Sequence, residues 1–124
     1  AGPNDEAVEL LADALRRKPD FVPALNELAW VRATSVGLLR DSTQALALSA
    51  QAVRLTGGAD ASVLDTRAAA EAAAGRFDGA IATAERALEL AREVRDSALA
   101  HDIAERLSLY RQYRAYEAPA PARH

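Results

Sequence analysis

The sequence predicts an all-α fold in which antiparallel helical hairpins repeat along the chain. Three observations predict it. Alanine supplies 31 of the 124 residues, and because alanine is the best helix former and adds little bulk, it favours helices that approach closely. The opening segment AGPNDEAV returns as AGRFDGAI at 74–81, which indicates an internal repeat. A stripe of mostly small residues, spaced for one helix face, occurs three times.

The stripe defines one helix of each hairpin. Steps of four and then three positions place its members on a single helix face. The three occurrences are Ala7, Leu11 and Ala14; Ala45, Ser49 and Ala52; and Ala80, Ala84 and Ala87. Another helix precedes the second and third stripes, with the matched patterns Leu25, Leu28, Ala29 and Leu64, Arg67, Ala68. The recurring octapeptide is then the tight turn between the two helices of a hairpin.

Helix boundaries follow from stop and start residues. Asn4 or Asp5 is expected to cap the first helix and Pro19 to end it. Asp41 or Ser42 is expected to cap the helix that carries the second stripe, and the pair at 57–58 is a glycine stop.

Later boundaries use the same signals. Ser62-x-x-Asp65 predicts a capping-box start for the next helix, and Asp78 a cap for the one after. A last helix over 97–113 has an apolar stripe made of Leu99, Ile103, Leu107 and Tyr110. It is expected to close the array, since terminal repeats need a cap.

Three segments carry a family resemblance: NELAWVRAT at 26–34, LDTRAAAEAAAGRFDGAIATAERALELA at 64–91, and RLSLYR at 106–111. They resemble the C-terminal repeats of bacterial tetratricopeptide-repeat (TPR) proteins, over about residues 1–112. The resemblance implies a right-handed solenoid with a C-terminal capping helix. The predicted organisation is a half repeat (1–21), two repeats (22–59 and 60–95), the capping helix (97–113) and a flexible Pro/Ala-rich tail (114–124).

The same resemblance implies a concave groove, lined by the first helix of each repeat, that holds a peptide or another protein. Carried onto this sequence, the groove residues are Asn26, Trp30, Ala33, Thr34, Asp65, Ala69, Ala72 and Ala73. Trp30 is read either as core packing or as a binding anchor, because tryptophan is enriched at interface hot spots. The eukaryotic clamp for C-terminal carboxylates is not expected, since groove lysine is absent and Glu27 and Thr66 stand at its asparagine positions.

Three polar residues depart from the family pattern. Arg32, Arg67 and Glu71 stand where the family usually has Leu, Leu and Tyr. Three interpretations stay open: a solvated or local ion pair, a polar patch that meets a partner, and a buried ionic network, which is costly unless fully paired.

Two further apolar groups have open roles. The insertion at 35–44 places Leu38 and Leu39 in a loop, where they either fold back or contact a partner. Tyr113 and Tyr116 either dock on a neighbour or belong to a frayed helix end.

Several function classes find no support in the sequence. The net charge is −3 and no basic stripe marks a nucleic-acid partner. Cysteine is absent, and no apolar run is long enough for a transmembrane helix. His101 and Glu105 have a metal-like spacing without a second ligand pair. We therefore expect no enzyme activity, catalytic residue, cofactor or metal.

The expected function is that of a non-catalytic protein–protein interaction module or scaffold, which buries a partner protein or peptide in its groove. Two alternatives stay open: an accessory subunit of a larger, membrane-bound or soluble assembly, and the C-terminal tail of a larger glycosyltransferase-like enzyme. The sequence begins inside a repeat, so the first helix is expected to be covered by a longer parent chain or another molecule. Self-association is one such option. A soluble segment of the bacterial cytoplasm or periplasm is expected, without a choice between them.

Overall fold

A computed structural model describes residues 3–119. Within that range the chain forms α-helices and one short 3₁₀ turn, and it has no strand. The helices are α1 (Pro3–Arg17), α2 (Val22–Thr34), α3 (Ser42–Leu55), α4 (Ala61–Ala73), α5 (Phe77–Glu93) and α6 (Ser97–Arg111). The 3₁₀ turn covers Gly37–Leu39, between α2 and α3. The all-α prediction is confirmed for these residues.

Packing runs mainly between neighbours in the sequence. Each helix contacts the next, and α2 also contacts α4, which in turn contacts α6. Because short connections join consecutive helices, neighbours run antiparallel. The even-numbered helices therefore form one row, and the odd-numbered helices lie behind it.

Alanine stripes form the core between the two rows. All six residues of the stripes on α3 and α5 are completely buried: Ala45, Ser49, Ala52, Ala80, Ala84 and Ala87. Larger side chains complete the core beside α6, where Ile103 and Tyr110 are also fully buried. The stripe on α1 differs, because Ala7, Leu11 and Ala14 are only half-buried. The same residue pattern thus packs less completely on the first helix.

Aspartates begin three of the helices. Asp41, Asp60 and Asp96 each accept a hydrogen bond from the backbone N–H three residues further on, at 3.0 or 3.1 Å. The prediction at Asp41 is confirmed. The capping box at Ser62 is wrong, because α4 begins one residue earlier and Asp60 is its cap. Asp78 lies in the first turn of α5 and does not cap it; Arg76 holds that position without a side-chain bond.

The repeated octapeptide is a turn at its second occurrence. Helix α4 ends at Ala73, and Gly75 has a φ of +78° before α5 begins at Phe77. This left-handed conformation favours glycine, which explains the Ala-Gly pair. Residues 1–2, the start of the first occurrence, lie outside the described range. Helix α1 ends two residues before Pro19, as expected from the restriction that proline places on the preceding residue.

The chain turns back after α6. Tyr113 has a φ of +57°, and residues 114–119 then continue without regular secondary structure. Ala115 and Tyr116 pack against the core, and the Ala118 N–H donates to the Thr34 carbonyl oxygen at 2.9 Å. The flexibility of the tail and the division into repeats stay predictions, and residues 120–124 lie outside the described range.

None of the described helices is both long enough and apolar enough to cross a lipid bilayer.

Candidate functional site

The candidate site lies on the row of even-numbered helices, where one residue from each helix meets the others. Trp30 comes from α2, Asp65 from α4 and Arg106 from α6. Each lies within its helix, so its position is fixed by packed backbone rather than by a loop. The returning C-terminal segment adds Tyr116.

Asp65 and Arg106 form a bidentate ion pair between α4 and α6. Arg106 Nε donates to Asp65 Oδ1 at 3.0 Å, and Nη2 donates to Oδ2 at 2.6 Å. Both side chains are nearly buried, with 6% of Asp65 and 11% of Arg106 exposed. Paired N–H···O bonds of this kind are directional and charge-assisted. The pair therefore fixes the orientation of the guanidinium relative to the helices.

Two aromatic rings contact that guanidinium. Arg106 Cζ lies 5.0 Å from the centre of the Trp30 ring and 5.2 Å from the centre of the Tyr116 ring. The two rings also contact each other, with centres 5.6 Å apart and planes tilted by 38°. Distances of this size allow cation–π attraction and aromatic packing at once. Trp30, Arg106 and Tyr116 thus form a triangle, which we call the aromatic–arginine cluster.

Burial changes the acid–base properties of this region. It raises the pKa of Asp65 above its ordinary value, against the opposing effect of the hydrogen bonds and charge of Arg106. For Arg106, burial acts to lower the pKa, but the hydrogen bond and charge of Asp65 outweigh it and the pKa is raised. Since arginine stays protonated and both carboxylate oxygens accept N–H bonds, the pair is ionic at neutral pH.

Tyr110 lies near Arg106 and Tyr116 and is fully buried. Burial raises the pKa of its phenol well above the ordinary value, and the negative charge of Asp65 adds to the shift. Among the described residues, no group makes a hydrogen bond to the Tyr110 hydroxyl. The phenol is therefore held in its neutral form.

The C-terminal segment crosses the end of α2. Besides the bond from Ala118 to Thr34, Glu117 lies near Arg40, with 3.9 Å between Oε1 and Nη1. The Thr34 carbonyl is among the last in its helix, which have no partner within the helix itself. The C-terminal segment thus satisfies a helix-end acceptor while the Tyr116 ring packs on Trp30.

A polar cleft of about 320 Å³ opens beside the cluster. Its lining residues are Asn26, Glu27, Trp30, Ser62, Asp65, Thr66, Asp102 and Arg106. Asn26 Nδ2 donates to Ser62 Oγ at 3.3 Å, whereas Asn26 Oδ1 is buried without a partner in the part of the chain that the structure describes. The lining of the cleft therefore contains three carboxylates, those of Glu27, Asp65 and Asp102, and a buried amide oxygen without a partner.

The structure brings some of the predicted groove residues together and covers others. Asn26, Trp30 and Asp65 line the cleft. Ala33 and Ala69 form a buried cluster on which Trp30 and Ala73 pack. Thr34 and Ala72 are also buried, so with the C-terminal segment in place they offer almost no surface to a ligand.

Sequence reasoning did not single out Arg106. The residue falls within the RLSLYR segment, but its partner Asp65 is 41 positions away, and helical periodicity gives no information at that distance. The signal in the sequence was the position of this arginine beside the apolar stripe residues Leu107 and Tyr110, which indicates a buried side chain.

Arg67 and Glu71 form a second polar group, between α3, α4 and α5. Arg67 Nη1 donates to the Leu46 carbonyl at 2.9 Å and to Ser49 Oγ at 3.3 Å. Glu71 Oε1 accepts from Thr83 Oγ1 at 2.6 Å and lies 3.8 Å from Arg67 Nε. Of the three interpretations, this arrangement corresponds to a largely buried network satisfied by neighbouring helices.

The third departure, Arg32, serves the insertion after α2. Its Nη1 donates to the Leu39 carbonyl at 3.1 Å, and its backbone carbonyl accepts from the Asp41 N–H at 2.8 Å. Leu39 is partly buried, whereas Leu38 is fully exposed. The insertion is thus held by Arg32, and one leucine points away from the protein.

His101, Asp102 and Glu105 form an exposed cluster on α6. One potential metal-ligand atom from each lies within 4.8 Å of the others, and His101 Nε2 is 3.1 Å from Glu105 Oε1. Surface side chains one helical turn apart meet in this way without any ligand, so the spacing alone does not indicate a metal site.

Comparison with known proteins gives no match: no family model, no curated protein and no solved structure is similar to this chain at a significant level. The TPR resemblance therefore stays a prediction.

Proposed function

We propose that this chain is a non-catalytic protein–protein interaction module: a TPR-like, right-handed array of helical hairpins that binds a partner segment along the face of α2, α4 and α6. The row of alternate helices, each contacting the next member of the row, supports this architecture. Repeat arrays of this kind present extended concave binding surfaces.

One observation carries the proposal. A segment without regular secondary structure, residues 115–118, lies on this face and contacts it through the Tyr116 ring on Trp30 and a backbone hydrogen bond to Thr34. The segment belongs to the same chain, but the contacts are those that a foreign peptide would use: an aromatic anchor gives affinity and a backbone bond fixes register. The face is therefore chemically suited to peptide capture.

Partner capture in native extract tests the proposal, using a carboxylate-reactive cross-linker and mass spectrometry. Glu27 and Asp102 are the side chains to monitor, because both line the cleft and both are exposed. Asp65 is unsuitable, since it is buried and bonded to Arg106. We expect cross-links from these carboxylates to one foreign protein.

A Trp30→Ala variant gives the decisive comparison. It should lose most of these cross-links, because the anchor ring is removed from the face. Phe21→Ala is a matched control, since Phe21 is a partly exposed aromatic residue between α1 and α2 that contacts Lys18 rather than the cluster. Equal capture by both variants and the wild type would contradict a binding site at Trp30.

A second candidate is an accessory subunit of a larger assembly, docked through α1. The incompletely buried stripe on α1 favours it, as does the 72% exposure of Leu10. A Leu10→Arg variant should then lose association without losing stability. Analytical ultracentrifugation at several concentrations distinguishes self-association from a foreign partner, because only self-association makes the mass of the pure protein depend on concentration.

A further inference from the structure

Contacts with α2, α6 and the loop before α3 hold the C-terminal segment. Each involves a different chemical group of the segment. The Tyr116 ring contacts Trp30 and Arg106. The carboxylate of the next residue, Glu117, faces Arg40. The N–H of the residue after that, Ala118, donates to Thr34. The face thus contacts, in order along the segment, an aromatic ring, a carboxylate and a backbone donor.

The segment is held by few groups. Glu117 is 60% exposed and lies at 3.9 Å from its partner, and exposed ion pairs of this kind contribute little. Arg114 and Pro119, on either side of the anchored residues, are also exposed. Detachment would therefore break the contacts of the Tyr116 ring with Trp30 and Arg106, the packing of Ala115 and Tyr116 on the core, one backbone hydrogen bond and one weak ion pair, while the six helices keep their contacts with one another.

We propose that residues 115–118 are an intramolecular occupant of the binding face, and that the ligand in trans is an extended peptide segment with an aromatic residue followed directly by an acidic one. This inference rests on the proposed function and specifies its partner. Arg106, fixed by Asp65, and Trp30 receive the aromatic residue, and Arg40 receives the acidic residue. The protein's own tail competes with the partner for these groups.

Competition within one chain has a predictable size. A tethered segment acts at an effective concentration of the order of millimolar when its linker is short. Only the molecules whose tail is detached can bind a foreign peptide. The apparent affinity is therefore the intrinsic affinity multiplied by the fraction of such molecules. Weakening the tail should strengthen peptide binding in proportion.

Trp30 is the single tryptophan, so its fluorescence reports occupancy of the face directly. The test uses the full chain with Tyr116→Ala, titrated with a peptide of residues 114–119, RAYEAP, capped at both ends. Phe21→Ala is the matched control, because Phe21 is a partly exposed aromatic residue that contacts Lys18 and lies away from the segment. We expect the peptide to bind the Tyr116→Ala chain at least tenfold more tightly than the wild type or the control.

Peptide variants test the stated chemistry. Replacement of the peptide's tyrosine by alanine should abolish the fluorescence change, and replacement of its glutamate by lysine should weaken binding severalfold. A second chain variant, Glu117→Lys, weakens the tail at an exposed side chain without removing a ring, and it should also bind the peptide more tightly than the wild type. Circular dichroism verifies that both variants fold.

Two results would overturn the inference: equal affinity of the wild type and both weakened variants, or no binding by folded variants at millimolar peptide. Neither result would by itself remove the proposed function. That function fails separately, when cross-links from Glu27 and Asp102 to a partner do not depend on Trp30.

Discussion

Arg106 holds the carboxylate of Asp65 with two hydrogen bonds across the α4–α6 contact. Burial raises the pKa of Asp65 in spite of them, whereas the hydrogen bond and charge of Asp65 raise the pKa of Arg106. Because the desolvation of two buried charges offsets much of their attraction, we interpret the pair chiefly as a means of orienting the guanidinium and the rings around it.

This relationship predicts a non-additive mutant cycle. Asp65→Asn leaves a buried, unpaired guanidinium, and Arg106→Met leaves a buried, unpaired carboxylate, so each should lower the free energy of unfolding by about 3–5 kcal/mol. The double variant Asp65→Asn with Arg106→Met removes both charges and should lose less stability than the sum of the two single losses. Urea denaturation measures all three.

A surface pair provides the control for that cycle. Arg86 and Glu89 lie 3.1 Å apart and are both largely exposed, so Arg86→Met should change the free energy of unfolding by about 0.5 kcal/mol or less. Single variants at Asp65 and Arg106 that behave like Arg86→Met would show that the buried pair does not fix the contact between α4 and α6.

The raised pKa of Tyr110 predicts that the folded chain loses stability at alkaline pH. Because its pKa is higher in the folded chain than in the unfolded chain, the unfolded state releases the proton first as the pH rises. The stabilising contribution is complete below about pH 10, the ordinary pKa of tyrosine, and is lost above it. Tyr110→Phe should remove this part of the pH dependence, measured by urea denaturation between pH 7 and 11.

The same variant has a second expected outcome at neutral pH. Since the Tyr110 hydroxyl has no hydrogen-bond partner among the described residues, its removal should leave the free energy of unfolding within about 1 kcal/mol of the wild type. Tyr113→Phe, on an exposed ring, is the control and should keep the alkaline transition. A loss of several kcal/mol in Tyr110→Phe would reveal a bond that the structure lacks.

The stripes allow a comparison of equivalent positions. Ala87 on α5 is completely buried, whereas Ala14, at the same place in the α1 stripe, is half-buried. Ala87→Leu should overpack the contact and lower the free energy of unfolding by about 1–3 kcal/mol. Ala14→Leu should cost much less, because the side chain has room at the surface; thermal unfolding of the two variants tests the difference.

Gly79 and Glu71 predict a reversal of the usual effect of alanine. A Cβ at Gly79 would clash with Glu71 Oε2 and displace the carboxylate that binds Thr83. In most helices Gly→Ala adds about 0.5–1 kcal/mol of stability, but here Gly79→Ala should add nothing or destabilise. In a Glu71→Ala background, Gly79→Ala should again add stability. Chemical denaturation of the wild type, the two single variants and the double variant measures the difference. The same gain in both backgrounds would contradict the prediction.

Local patterns account for what could be predicted of the fold. The four-and-three spacing of Ala80, Ala84 and Ala87 needs only helix geometry, and Asp41 marks a helix start through a bond three residues away. The neighbouring prediction at Ser62 failed because two residues in one turn, Ser62 and Asp60, both carry capping oxygens, and α4 begins at the earlier one.

The site was less accessible to sequence reasoning. Trp30 and Asp65 were placed on the groove by family resemblance, but the guanidinium that joins them comes from α6. The contact of Tyr116 with Trp30 depends on the turn at Tyr113, a non-glycine residue in a left-handed conformation. No turn signature in the sequence marks that reversal.

The bond from Ala118 to Thr34 also changes how the chain holds together. In a linear array each unit is stabilised by its neighbours alone, so one end can unfold while the other persists. Here the segment after α6 is fastened to α2 and closes the row into a ring of contacts. Loss of α6 would then remove contacts from α2 as well as from α5. A partner that displaces the segment would open this ring while itself contacting α2, so its binding should be accompanied by faster amide hydrogen exchange in the released segment, at Ala118 above all, and not in α2.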